Sequence, residues 1–510
     1  MSFPRPLAFA GLTAVAAVAT LGAILVADGN VGLALAPLAA MLAIWALWKL
    51  PLRLSALGLL AVVLCVDYVA ERPFEERWQS PFYRLGHLVF SNLNKLTGFP
   101  PLRFPLLDLA LVSLLALIAY RRATRDPTDG PGVPSARVLA GGIFVSFATL
   151  MALELFGIAR GGNFKESLWQ FHQMGFLSII AVIFLHALRG PRDYRALARI
   201  IIFAACFKAL EGIYFIYFVA RPQGFITEFT TSHSDSILFV TATVMGVAMW
   251  TETPTWASAR RSLAFLPIVQ WGMYLNDRRL ATVSLGLSLG LLFLLMRPSR
   301  LKRWFLRRAL LAIPVTAVYF AVGWGSSAGV FAPVKLVRSM LEGDKVAEGP
   351  DYRDQENFNL LVTWMKNPVI GSGFGHEFEE PVKMPDISFV MPNYRYQPHN
   401  TILWLWGIGG LVGFFFIFVQ ITIGLYLAAR AYRFARVPAE RVAALTAISA
   451  FVAHLVQCLG DMGTISWIGS FFVGIGLAAM GQLAVSTGAW PAPRAHLTSS
   501  PTLVEGALHP

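Results

Sequence analysis

Pro398-His399-Asn400 stands directly ahead of a long apolar stretch and offers the clearest chemistry in the chain. Pro398 ends whatever precedes it, and Asn400 or Thr401 can cap the helix that follows. The His399 imidazole then sits at the positive, N-terminal pole of that helix. A positive pole disfavours imidazolium, so the ring is expected to be neutral and able to accept a proton at about pH 7. Gly410 and Gly413 follow eleven and fourteen residues later. At about 3.6 residues per turn they fall near the same helix face, where small residues admit a close neighbour. A histidine that merely anchors its helix at the interface is the competing reading.

Three arginines carry the complementary chemistry. Arg278 and Arg279 open one apolar segment and Arg221 lies just ahead of another, each in a short connection. Guanidinium groups beside the free N–H groups of helix N-termini suit a diphosphate. Snorkelling to lipid headgroups is the alternative for any one of them. The long connection before His399 holds Tyr352-Arg353-Asp354, Trp364 and the run Asn367-Pro368-Val369-Ile370-Gly371-Ser372-Gly373-Phe374-Gly375. No Lys-Ser/Thr follows Gly371 and Gly373, so the run reads as a turn and not as a phosphate loop. Asp235 and Asp461 lack the spacing of metal ligands, and Lys208 can pair with Glu211. Neither an HExxH nor a Cys/His cluster occurs, so no metal and no cofactor are expected. Cys65, Cys206 and Cys458 all lie in apolar segments and read as small hydrophobes.

The elements that must position these groups are membrane helices. Of the 510 residues, 56% are hydrophobic and only 14% charged, and the mean hydropathy is +0.59. A soluble chain carries about 25% charged residues, so a soluble multidomain enzyme and a disordered chain are excluded. An outer-membrane barrel would alternate every second residue, which this chain does not. With about 20 apolar residues per span, roughly fourteen helices are expected, near 7–27, 31–49, 54–70, 104–120, 138–158, 169–187, 199–219, 236–252, 262–275, 280–296, 309–325, 400–424, 441–460 and 465–485. The fold class is all-α, a polytopic helical bundle. The ninth span is short.

A net charge of +13 would suggest nucleic acid in a soluble protein, but here the basic residues lie between apolar segments. With the N-terminus in the cytoplasm, 24 Lys and Arg fall on the inner side and 17 outside, 12 of them in two long loops, 71–103 and 326–398. The positive-inside rule then places both termini in the cytoplasm and both long loops outside. Residues 1–120 form an N-terminal four-helix unit and 121–137 a Pro/Gly-rich linker. Residues 138–485 form the main membrane domain and 486–510 a disordered tail. Trp78, Phe82, Leu85, Val89 and Leu93 are spaced for an interfacial helix in the first long loop.

The pattern His399-Asn400, nine residues, Gly410-Leu411-Val412-Gly413 resembles that of the bacterial O-antigen ligase and O-antigen polymerase superfamily. The glycine run 367–375 and Arg279 within Asn276-Asp277-Arg278-Arg279 are similar to further signatures of the same superfamily, as is Arg221 before Gly224-Phe225. The resemblance is specific over about residues 271–425 and diffuse over about 199–485; the first four spans carry none of it. It implies a GT-C-type glycosyltransferase of the bacterial inner membrane, working at the periplasmic face on an undecaprenyl-diphosphate-linked glycan without metal or nucleotide sugar. His399 would be the general base, with Arg279, Arg221 and Arg278 receiving the charge of the departing diphosphate. A glycan or a lipid A core would be the acceptor, and a flippase and a chain-length regulator possible partners.

Three functions follow. A polymerase would join repeat units into exopolysaccharide or O-antigen, and is slightly favoured by the extra N-terminal helices and the long outer loop. A ligase would pass the finished glycan to lipid A core. A transporter without catalysis is the reading from another class, disfavoured by the scarcity of intramembrane ionisable residues.

Overall fold

The computed structural model describes residues 45–66, 82–97, 104–130, 132–224, 230–298, 300–326, 328–331, 352–388, 391 and 393–492, with scattered residues between 14 and 42 and at 334, 337 and 338. The protein is all-helical, and the described residues form no strand. In chain order the helices are α1 (Leu52–Cys65), α2 (Tyr83–Phe90), α3 (Leu106–Thr124), α4 (Arg137–Ala159), α5 (Phe164–Ala187), α6 (Pro191–Tyr214) and α7 (Asp235–Glu252). They continue as α8 (Trp256–Leu275), α9 (Arg279–Leu295), α10 (Arg300–Gly323), α11 (Tyr352–Lys366), α12 (Thr401–Phe434), α13 (Pro438–Gly460) and α14 (Trp467–Ser486).

A helix stands at twelve of the fourteen expected positions; the expected spans 7–27 and 31–49 lie largely outside the described residues. Seven of the described helices are long and apolar enough to cross a membrane: α4, α5, α6 with its extension to Gln223, α10, α12, α13 and α14. With the shorter helices at the other described positions they make the expected polytopic helical bundle. α1 and α9 are apolar but stop at 14 and 17 residues. α8 is not short: it starts at Trp256, because Thr255 and Ser258 cap each other's backbone groups, and it runs through Pro267. Where an interfacial helix is expected in the first long loop stands α2, which ends at Phe90, with Leu93 opening a separate short helix, Leu93–Thr97; Trp78 and the tail beyond residue 492 lie outside the described residues.

Local chemistry explains where the helices begin. Asn163 accepts the N–H groups of Lys165 and Glu166 (3.0 and 3.3 Å), Ser466 that of Gly469 (2.9 Å) and Asn400 that of Leu403 (3.1 Å), while Pro191 and Pro438 occupy first turns that need no donor. In the bundle α14 is central, with 94% of its apolar window buried, whereas no residue in the apolar window of α10 is buried. α1 and α3 share the hydrophobic core with α5, α6 and α14, so the described part of residues 1–120 packs onto the main domain. The linker is pinned as well: Arg121 pairs with Asp129 at 2.9 Å and donates to the carbonyls of Trp48 and Leu50.

The ends of α4, α8 and α13 and the starts of α5, α7, α9, α12 and α14 meet at one end of the bundle. The opposite end is tied by Arg53 with Asp193 and by Arg441 and Tyr432 with Glu252.

α12 is not the continuous helix expected across His399, Gly410 and Gly413. Gly410 has φ 57° and ψ −168°, which breaks it. The glycine run of the loop closes the break by lending its backbone: Ser372 N–H and Gly373 N–H donate to the carbonyls of Gly407 and Ile408 (3.2 and 2.8 Å), and Leu411 and Val412 N–H to those of Pro368 and Val369 (2.8 and 3.1 Å). A Cβ on Gly410 would stand 2.3 Å from the carbonyl carbon of Val369, and one on Gly371 2.3 Å from the carbonyl oxygen of Ile408. Gly413 does serve close helix packing, against Leu153 of α4. Gly410→Ala is expected to lower the melting temperature in detergent by the equivalent of about 1–3 kcal/mol. Gly290→Ala, at a helical position of α9 with nothing near its Cβ, should leave it unchanged or slightly higher; equal melting curves for the two variants would refute the splice.

Candidate functional site

The backbone splice holds the loop against the start of α12, and the loop's own helix, α11, supplies what His399 needs. Glu356 on α11 has a fully buried side chain. Its Oε2 accepts the backbone N–H of His399 at 3.0 Å, and its Oε1 lies 3.0 Å from His399 Nδ1. A carboxylate accepts, so Nδ1–H donates to Glu356 and Nε2 is the ring nitrogen left free of that contact. The imidazole side chain is 19% exposed, so one face reaches the site while the other is fixed. Tyr352, first residue of α11, meets the ring edge-on at 5.8 Å. Burial, and after it the Glu356 carboxylate, pushes the Tyr352 hydroxyl above its ordinary value and keeps it protonated. The Asn400 cap is tied to the same helix, its Nδ2 donating to Asn357 Oδ1 at 2.9 Å.

Three consecutive residues past the top of α13 gather the rest. The carbonyl of Gly460 accepts Arg353 Nη1. Asp461 pairs with His233 Nδ1. Met462 N–H donates to the carbonyl of His399 at 2.9 Å. Met462 takes φ 52° to do so, a conformation that costs a residue with a side chain about 1–3 kcal/mol. Burial opposes the charge of Asp461, but the hydrogen bond and charge of His233, then Arg353 and Arg278, outweigh it and hold the carboxyl below its ordinary range.

Arg278 and Arg353 thus reach the neighbourhood of His399 through Asp461. Arg279 opens α9 with an exposed side chain, and Arg221, also exposed, lies over the Tyr217 ring at 4.5 Å; no contact described here brings either to His399. Gly371 and Gly373 act through the splice. Buried Asn276 joins the turn before α9 to the segment before α7: its Oδ1 accepts Thr231 N–H at 3.0 Å and its Nδ2 donates to the Ser232 carbonyl at 3.4 Å. Lys208 and Glu211 do pair, at 3.7 Å and buried. On the α5 side, Gln170 donates to the Tyr396 carbonyl and accepts Gly375 N–H (2.7 and 2.6 Å). Beside it, His172 meets Asp108 of α3 at 2.5 Å.

Residues 262–418 match the family model for O-antigen ligase. This stretch is similar to the O-antigen ligase family. No curated protein matches the chain. The O-antigen ligase match takes in most of α8, all of α9 to α11, the glycine run and α12 past its break. It therefore holds His399, Glu356, Arg278 and Arg353, but their partners His233, Asp461 and Met462 come from outside it.

Sequence reasoning singled out His399, its cap and the arginines, of which Arg279 and Arg221 are not brought to His399, and missed Glu356, His233 and Met462. The only signal for Glu356 was the helical register of Glu356, Asn359 and Leu360, the buried residues of α11. Removing one partner of a buried pair costs about 3–5 kcal/mol, so Glu356→Ala should depress the melting temperature in detergent far more than Asn357→Ala. Equal small shifts would contradict the pairing.

Proposed function

We propose that the chain is a membrane glycosyltransferase that moves a glycan from a polyprenyl diphosphate to a sugar hydroxyl at the end of the bundle where His399 lies. The match of residues 262–418 to the O-antigen ligase family supports an enzyme of the ligase and polymerase type in general. What supports the finer reading is the carboxylate-fixed imidazole, with Arg278 and Arg353 acting on Asp461, whose neighbour Met462 holds the His399 carbonyl.

In this mechanism Glu356 holds the Nδ1–H tautomer, and Nε2 takes the proton of the acceptor hydroxyl. The acceptor oxygen forms the new bond to the anomeric carbon while the bond from that carbon to the diphosphate oxygen breaks, its electron pair leaving with the diphosphate. Attack opposite the leaving group inverts the anomeric centre. Arg278 and Arg353 face the growing negative charge; Arg279 at the start of α9 and Arg221 are candidates for the outer part of the diphosphate. The proton count needs no metal. The undecaprenyl carrier, the periplasmic face, the inner membrane and cytoplasmic termini belong to the same proposal, as do a flippase and a chain-length regulator as partners.

Repeat-unit polymerisation is the preferred form, because helices outside the ligase domain, α1 and α3, are built into the same core. Ligation to lipid A core is the second form, favoured by the description of the matched family itself. A bound base of this kind has no use in a transporter.

The test is the surface glycan profile of host cells carrying His399→Ala, with expression checked. General-base loss costs about 10²–10⁴ in rate, so long chains should disappear. Single repeat units on the final acceptor identify a polymerase, and long chains held on the lipid carrier identify a ligase. An unchanged profile removes His399 from the mechanism.

A further inference from the structure

The charges around Asp461 do not balance at every pH. Arg278 and Arg353 bring positive charge to Asp461, Glu356 and Asp235 add negative charge nearby, and His233 pairs with Asp461 directly. A diphosphate approaching this cluster therefore meets one more positive charge when His233 is protonated than when it is neutral. Histidine is the side chain that changes charge between about pH 5 and 8.

The backbone fixes His233 in this position. Asn276 ties Thr231 and Ser232 to the turn that carries Arg278, and Ser232 N–H donates to Asp235 Oδ2 at 3.0 Å. Asp277, between Asn276 and Arg278, takes φ 41°, as Met462 takes φ 52° next to Asp461. Of the three residues other than glycine with positive φ among the described residues, two flank this cluster. Strain of this kind persists where surrounding structure over-determines it, and it gathers at ligand sites.

We propose that His233 is a titrating member of the diphosphate subsite: as imidazolium it offsets Asp461 and leaves Arg278 and Arg353 to the anion, and as neutral imidazole it lets Asp461 compete for them. The groups that set its titration are Asp461 at the end of α13, Arg278 at the start of α9, Arg353 on α11 and Asp235 on its own segment, with His399 one residue beyond through Met462. The inference rests on the transferase reading above and assigns that site a pH dependence in donor binding, separate from the proton transfer at His399.

The test measures inorganic pyrophosphate binding by calorimetry on the full chain in detergent micelles, for wild type, His233→Gln and His233→Lys, from pH 5.5 to 8.5. Pyrophosphate itself titrates, so the quantity to read is the ratio of dissociation constants between variant and wild type at each pH. His233→Gln should bind about tenfold more weakly at pH 5.5 and equally at pH 8.5, the electrostatic effect of one charge at a partly buried site. His233→Lys should match wild type at pH 5.5 and bind more tightly at pH 8.5, which keeps the test informative if the glutamine variant does not fold. A ratio of one throughout, or a ratio that ignores pH, overturns the proposal while pyrophosphate binding leaves the diphosphate subsite standing. Absence of pyrophosphate binding by wild type at every pH overturns both.

Discussion

A carboxylate with no solvent exposure must be paired, or it drives its surroundings apart. Glu356 meets that requirement with both oxygens on one residue, the backbone N–H and the imidazole of His399. Everything else at this end of the bundle follows from holding that contact. α11 must lie against the start of α12, so the connection between them must turn back tightly. α12 accommodates it by opening its own hydrogen-bond ladder at Gly410 and letting the loop fill the gap. Positive-φ Gly371 on the loop and Gly410 on the helix let the two backbones come this close.

The same economy of backbone contacts explains why the site uses residues from distant parts of the chain. Residues 460 to 462 are in effect a bracket, each contributing one contact to a different group: Arg353, His233 and His399. Asn276 performs the equivalent task for the segments of His233 and Arg278. Rigid helices deliver these connections to one end of the bundle, and short polar contacts fix their final geometry, which is how a site can be kept within the tolerance that chemistry demands.

Much of this arrangement could be read in the sequence because membrane helices declare themselves by length and apolarity. α4, α5, α9 and α12 to α14 fall close to their expected positions, and Asn400 caps as its residue type suggests. Glu356 was hidden because α11 reverses the usual pattern: it buries Glu356 and Asn359 and exposes Phe358 and Met365, so hydrophobic periodicity points to the wrong face. The break at Gly410 was hidden because an isolated glycine in an apolar run reads equally well as a packing residue. Its partner, the glycine run some forty positions earlier, was legible only as a turn. The pairing of His233 with Asp461, 228 residues apart, has no local signature at all. Local rules capture caps and spans; contacts between ends of different helices depend on the tertiary fold.

The central claim is that Glu356 acts on the reaction through His399 and in no other way. Initial rates of glycan transfer in proteoliposomes for wild type, Glu356→Gln, His399→Ala and the double variant test it directly. Residues that act as a unit are non-additive, so the double variant should be no slower than His399→Ala alone. Losses that multiply would mean that the two residues act independently, and the carboxylate–imidazole account of this site would be wrong.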